Sequence, residues 1–279
     1  MANKIDPQRL RQLELLLRWE GQIGNARLRE LFGLSSIRAS QWLKEFRDAH
    51  PRWTKWNSIT RSFHATYDFH RHKSPDTADA LNQYVELVGL PSAMKAENDQ
   101  VLVAAFPDIT MVNSQIFSIL TNAARIKHQV EITYCSMREP KPHKLIISPH
   151  SVVRSGRRWH VRAYSELSQQ FCDYELGLIT SAVPLSQPAI FLIEADTDWM
   201  TNVPVRLIAH PDLSEDQQLV VRLEYFRETS SITVSCRGPL VKYFIQELRV
   251  ATDVKNQCPP EYLLTVWNIK EMQKWVSPH

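Results

Sequence analysis

Leucines at positions 10, 13, 16 and 17 recur at helical spacing after an Asp6-Pro7 start, which predicts an amphipathic helix running to about Trp19. Gly21 and Gly24 end it, and Asn25 is placed to cap a second helix that runs to Phe32. Gly33 supplies a left-handed turn, after which Ser35 or Ser36 caps a third helix reaching about His50, just before Pro51. Two short helices around a glycine turn form a helix-turn-helix. On a wheel of about 100° per residue, Ala39, Trp42, Leu43 and Phe46 share one face of the third helix. Ile37, Ser40, Gln41 and Lys44 take the opposite face. Leu28, Phe32 and Leu34 provide apolar partners, while Arg29 stands where a small residue is usual, which predicts a slightly wider helix crossing.

Between residues 53 and 67, aromatic and β-branched residues alternate with polar ones around an Asn57-Ser58 turn signal, the pattern of a β-hairpin wing with Arg61 near its tip. A polar stretch over 70–76 with Pro75 reads as a linker, and Asp76 or Thr77 caps a helix to about Val88. A buried strand at 101–106 and a helix at 113–128 follow. Short strands are then expected at 130–136, 143–147, 151–154, 158–164 and 171–176, separated by Pro, Gly or Ser, which together suggest a small barrel. Pro184 and Pro188 bound a second linker-like region. Beyond it come strands at 203–210, 219–225 and 231–236, a helix from Pro239 to about Leu248, and a strand at 262–267, a small α+β domain. The fold class is thus multidomain α+β: a winged helix-turn-helix over 1–73, a helical linker region over 74–128, a small β-barrel over 129–184 and a C-terminal extension over 185–279.

Charge sharpens this division. Residues 1–73 carry 14 Lys and Arg against 7 Asp and Glu, whereas the rest of the chain carries 19 against 23. A basic end on a slightly acidic body suits a phosphate-binding module. The longest apolar run is about 101–106, far below the roughly 20 residues of a membrane-spanning helix, and the first residues lack the apolar core of an export signal, so a cytoplasmic protein with no membrane partner is expected. Four scattered cysteines form no CxxC pair. No nucleotide-cradling, nucleophile-elbow or HExxH motif occurs, and His64, His70 and His72 lack cysteine partners, so no enzyme, cofactor or metal is expected.

The outward face of the third helix fits a major groove. Gln41 can pair bidentately with adenine, Ser40 can bond several base edges, Ile37 can touch a thymine methyl, and Arg38 and Lys44 can reach guanine or phosphate, with Ser36 at the helix start. Lys55 and Arg61 on the wing can hold the backbone or minor groove. In the strand at 158–164, alternation sends Trp159, Val161 and Ala163 inward and Arg158, His160, Arg162 and Tyr164 to the other face. Between Tyr134 and Tyr164 seven Lys and Arg face a single Glu139, with His143, His150 and His160 among them, a set suited to phosphate or a nucleic-acid strand. A solvated strand face would show the same pattern. Two other readings use the same residues: a nucleic-acid-processing enzyme, and an RNA-binding Sm-like module.

The run Ile147-Ser148-Pro149-His150, continued by Arg154-Ser155-Gly156-Arg157-Arg158-Trp159-His160-Val161-Arg162-Ala163-Tyr164, resembles the centre of a WYL domain, an Sm-like barrel named for a Trp-Tyr-Leu triplet. Trp159-His160-Val161 stands in that place here. The variant is most similar to the BrxR/CapW type of WYL regulators, which accompany phage-defence islands such as BREX and CBASS, and the resemblance spans nearly the entire chain. It implies a homodimeric repressor with a dimerising C-terminal extension, an inverted-repeat operator in double-stranded DNA, and a nucleic-acid or nucleotide effector that releases it. Carried over by position, the implied effector residues are Tyr134, Ser136, His150, Arg154, His160 and Arg162. Many relatives have arginines where Cys172 and Leu178 stand, so effector affinity or identity is expected to differ here.

Overall fold

Asp6 accepts a hydrogen bond from the Gln8 amide at 3.0 Å and starts α1 (Pro7–Glu20), which Gly21 ends in the left-handed region. This computed structural model describes residues 6–71, 78–91, 102–105, 111–227 and 229–276, and the chain divides into two units, Met1–Pro107 and Asp108–His279.

In the first unit, β1 (Gln22–Ile23) follows α1 directly, then α2 (Asn25–Phe32), Gly33 at φ 62°, and α3 (Ser36–Ala49) capped by the Ser35 hydroxyl. The hairpin β2 (Thr54–Asn57) and β3 (Ser62–Ala65) pairs in the register Asn57 to Ser62, and β1 adds to it in the order β1-β3-β2. The short α4 (Tyr67–His70) and then α5 (Ala78–Val88) complete the unit. Leu13, Leu16, Leu17, Leu28 and Phe46 are buried in one core. Three sequence expectations change. The cap of α2 is Gly24, not Asn25, whose side chain instead reaches across to α3. Arg29 is exposed and stays out of the crossing, which Leu28 fills. The helix assigned to the linker, α5, packs on α1: Tyr84 stacks on Trp19 and donates to Glu20 Oε1 at 3.2 Å. The expected caps at Asp76 and Thr77, Pro75 and His72 lie outside the described residues, as do the ends of the strand at 101–106. Of that strand, Ala104 donates to the Pro91 carbonyl.

The second unit begins with α6 (Ser114–Ile126), capped by Asn113, whose apolar face covers a sheet of β4 (His128–Tyr134), β5 (His143–Ser155), β6 (Arg158–Ser165), β7 (Gln170–Glu175) and β8 (Ile179–Pro188). All neighbours are antiparallel, in the order β7-β6-β5-β4-β8. The strands expected at 143–147 and 151–154 are one continuous strand, β5, in which His150 is the extra residue between the pairs Pro149 to Ala163 and Ser151 to Arg162. The predicted linker at Pro184 and Pro188 is instead strand β8. Among the described residues it bonds only to β4, and an edge strand tolerates residues that cannot donate to a ladder. No pairing joins β7 to β8, so the five strands do not close into the expected barrel.

Beyond β8 come α7 (Thr197–Met200), β9 (Asn202–Ala209), α8 (Glu215–Tyr225), β10 (Ser231–Arg237), α9 (Val241–Glu247), β11 (Val250–Ala251), β12 (Leu264–Val266) and α10 (Ile269–Val276). Four strands form a second sheet in the order β10-β9-β12-β11, over a core that includes Val205, Val221, Val241, Leu264 and Met272. The strand expected at 219–225 is the helix α8. Ser214 and Gln217 close a reciprocal capping box at its start, so the local chain is committed to helix before the β-branched residues begin.

Candidate nucleic-acid interface and effector site

The first candidate surface lies on α3 and the hairpin. Burying Ala39, Leu43 and Phe46 leaves Ser36, Ile37, Arg38, Ser40, Gln41 and Lys44 exposed, with Ile37 at 83%. A single exposed isoleucine is common on protein surfaces, so its weight here comes from standing on one face with Ser40, Gln41 and Lys44. Asn25, at the start of α2, donates to the Ser36 carbonyl and the Ser40 hydroxyl, both at 2.8 Å, fixing the first turns of α3 against α2. At the hairpin tip, Asn57 Oδ1 accepts from the amides of Ile59 and Thr60 and shapes a four-residue turn in which Arg61 is left-handed, φ 51°. Lys55 and Arg61 are both exposed. The turn also projects Ile59, 92% exposed, which sequence reasoning missed; an isoleucine at a hairpin tip was the available signal.

The second lies on the outer side of β5, β6 and β7. His160 and Arg162 do lie together on the face opposite Val161 and Ala163, but that face is not a solvated cationic stripe: they are 8% and 7% exposed. Arg162 grips Asp196, 1% exposed, through Nε to Oδ2 at 2.7 Å and Nη2 to Oδ1 at 3.2 Å, and reaches Asp173 Oδ1 through Nη1 at 3.2 Å. Asp173 is held in turn by Lys242 Nζ at 2.9 Å and by the Tyr243 hydroxyl at 3.1 Å, and Tyr243 lies on the His160 ring, centroids 4.6 Å apart. His150, turned by the bulge, places Nε2 at 3.2 Å from Asp196 Oδ2 and Nδ1 at 2.9 Å from the Ser151 hydroxyl. A carboxylate can only accept, so Nε2 carries the proton and Nδ1 accepts from Ser151.

Desolvation holds both His150 and His160 below the ordinary imidazole value even with carboxylates nearby, so both rings are neutral at pH 7. For Asp196, burial alone would push the carboxyl up. Arg162, the Trp199 amide and His150 outweigh burial and hold it below the usual carboxylate range. Beside this network Tyr164, Phe171 and Phe191 stack edge-on, with the Arg162 guanidinium 6.0 Å from the Phe171 ring. The other expected effector residues stand elsewhere. Tyr134 packs inward against Tyr174, because the alternation that buries Val130 and Ile132 also buries its side of β4. Ser136 accepts from the Glu139 amide in the turn after β4, and Arg154 is exposed at the far end of β5, bonded to the Gly156 carbonyl. Sequence reasoning missed Asp173, Asp196, Lys242 and Tyr243, since pairing across 11 to 83 residues leaves no local signal. Among the described residues no cluster of three metal-ligating side chains occurs, and no helix is long and apolar enough to cross a membrane.

Three family models match in succession: the BrxR transcriptional regulator winged helix-turn-helix domain over residues 6–88, the WYL domain over 115–184, and the BrxR transcriptional regulator C-terminal dimerization domain over 202–272. The chain belongs to the BrxR family of WYL-domain transcriptional regulators. Among BrxR-type relatives, the DNA-binding transcriptional repressor CapW of Pseudomonas aeruginosa is 29% identical over 97% of this chain and 91% of that protein. The CapW repressors of Escherichia coli strain KTE188 and Stenotrophomonas maltophilia are 27% and 26% identical, over 95% and 96% of this chain and 90% and 91% of theirs. The solved proteasome accessory factor B/C of Arthrobacter aurescens shares 16% identity at a TM-score of 0.33, over 96% of this chain and 45% of that one, too loose a match to support an argument. In this BrxR chain the winged-helix match takes in α5, in agreement with its packing on α1. Asp196 and α7 fall between the WYL match and the dimerization match, on the junction of the two.

Proposed function

We propose that the chain is a homodimeric, sequence-specific DNA-binding repressor of a phage-defence operon. It reads an inverted-repeat operator with α3 in the major groove of each half-site, while Lys55 and Arg61 on the wing hold the backbone. The observation that carries this reading is the outward face of α3, where Ile37, Ser40, Gln41 and Lys44 stand open around a rigid apolar back. The basic excess of residues 1–73 supplies the non-specific part of the affinity. The CapW relatives are DNA-binding repressors by name, and two-fold pairing through the C-terminal domain matches a palindromic site.

The WYL sheet is the effector domain of this reading. His150, His160 and Arg162 offer hydrogen bonds to a phosphate, and the neighbouring rings of Tyr164, Phe171 and Phe191 offer a stacking surface, which together suit a nucleotide or the end of a nucleic-acid strand. The test is a gel shift on the DNA upstream of the chain's own operon. A sequence-specific complex that weakens steeply with salt is expected. Indifference to sequence, preference for single-stranded RNA, or cleavage of the probe with added magnesium would each replace this reading with another.

A further inference from the structure

Asp196 is held as a bound anion would be. Its two oxygens take two N–H groups of the Arg162 guanidinium, the Nε2–H of His150 and the backbone amide of Trp199, at 2.7 to 3.2 Å. A guanidinium fork, an imidazole and a helix-start amide are the donors that hold a phosphate oxyanion in a buried site. This carboxylate comes from the junction after β8 and not from the sheet that carries Arg162 and His150.

We propose that Asp196 is the resident occupant of the effector site, and that a phosphate-type oxyanion binds Arg162 and His150 by displacing it. The proposal rests on the reading of this sheet as an effector domain and adds what must leave for the effector to enter. Asp196 already takes the Nε and Nη2 edge of Arg162 and the Nε2–H of His150, the donors the incoming anion needs. A third negative charge beside Asp196 and Asp173 would be uncompensated in a buried pocket, so the anion and Asp196 exclude each other. Displacement has a structural consequence. Asp196 is the N-cap of α7, and α7 is tied to the dimerization domain: the Trp199 carbonyl accepts from Arg237 Nη1 at 2.8 Å, and the Thr201 carbonyl accepts from the Gly238 amide at 2.9 Å. Both donors lie at the end of β10. Releasing Asp196 frees the start of α7 and changes how the WYL sheet is fastened to the strand that leads into α9. Asp173 does not compete in the same way, because Lys242 and Tyr243 hold it independently of Arg162.

The experiment uses the full chain and two probes, inorganic phosphate and adenosine 5′-monophosphate, titrated calorimetrically. Asp196→Asn keeps the shape and can still accept from the Trp199 amide but removes the competing charge. It is expected to bind both probes at least about tenfold more tightly than the unmodified chain, and adding Arg162→Ala is expected to erase the gain. A larger gain for the nucleotide than for phosphate assigns the aromatic side to the base; equal gains assign free phosphate as the ligand. In the unmodified chain, saturating probe is expected to raise hydrogen exchange at the Trp199 amide, a readout that needs no variant. Equal affinity in both proteins, with no change at Trp199, would overturn the displacement while leaving an effector site in place. Binding of neither probe by either protein would overturn both. Operator binding without probe reports separately on DNA recognition.

Discussion

Gln41 donates to Glu45 Oε1 at 3.0 Å, and Glu45 Oε2 takes Arg9 Nη1 at 2.8 Å. The side chain best suited to read a base is thereby steadied from α1 before any DNA arrives, which lowers the entropy lost on binding. Gln41→Ala is expected to relax base preference at one position per half-site, costing about 1–3 kcal/mol on the preferred operator in a competition gel shift. Equal weakening on every duplex would remove Gln41 from base reading. Glu45→Ala should reproduce part of the loss without touching DNA.

Lys55 and Arg61 make a different prediction because phosphates carry no sequence information. Lys55→Ala or Arg61→Ala should weaken binding to operator and random DNA alike. Each should also reduce the slope of log affinity against log salt by about 0.9, the counterion released per phosphate contact. An unchanged slope would place that cation away from the backbone.

Arg162→Ala leaves Asp196 without its main partner and weakens the hold on Asp173, so it is expected to cost about 3–5 kcal/mol in urea unfolding. Loss of induction in that variant alone would therefore be uninformative. A cost below about 1 kcal/mol, in the range of an exposed ion pair, would show that water reaches this network.

His150 and His160 fix a pH dependence. Each is harder to protonate folded than unfolded, so the unfolded chain binds more protons once the pH falls below the ordinary imidazole value near 6.5. Their contribution to stability is complete above that value and declines as pH falls through it toward the lower folded values. The urea midpoint is expected to fall between pH 7.5 and pH 5.5, and to fall less in a His150→Gln, His160→Gln double variant. Asp196 acts lower, its stabilisation being lost only below the usual carboxylate range. A midpoint flat across the imidazole window would contradict burial of the two rings.

Within the dimerization domain, α8 buries Val221 and leaves Leu219, Val220 and Leu223 exposed on one side. A second copy of the chain is the occupant expected there, since a self-complementary helix face is what a two-fold interface needs. Leu219→Glu with Leu223→Glu should convert a dimer to a monomer in sedimentation velocity and weaken operator binding. An intact dimer would move the contact elsewhere in the domain.

The helix-turn-helix was legible because its signals are local: Ser35, Gly33 and the spacing from Ala39 to Phe46 specify α3 without help from distant residues. The stretch Leu219-Val220-Val221 was misread as strand because its β-branched residues were weighed without the capping box just upstream. At β8 the two prolines were taken as breakers, a rule that fails where one side of a strand has no neighbour to bond. Alternation in β6 correctly separated Val161 from Arg162, yet which face water sees was decided by Asp196 and Tyr243, which the chain brings in from far along its length. The face of each residue can be read from its strand; what covers that face cannot.

Because side chains alternate with a period of two, the single unpaired residue in β5 changes the parity of everything after it. Val152, not Val153, joins the core beyond that point. Deleting His150 would therefore leave an unbulged ladder: Ser151 would follow Pro149 directly, still opposite Arg162, and Val152 would stay opposite Val161 in the core, while the bend and the imidazole aimed at Asp196 would be lost. The register thus tolerates loss of a residue at this bend but not farther along β5, so length variation in this domain belongs in its turns or at the bend, and what selects His150 there is the donor it aims at Asp196.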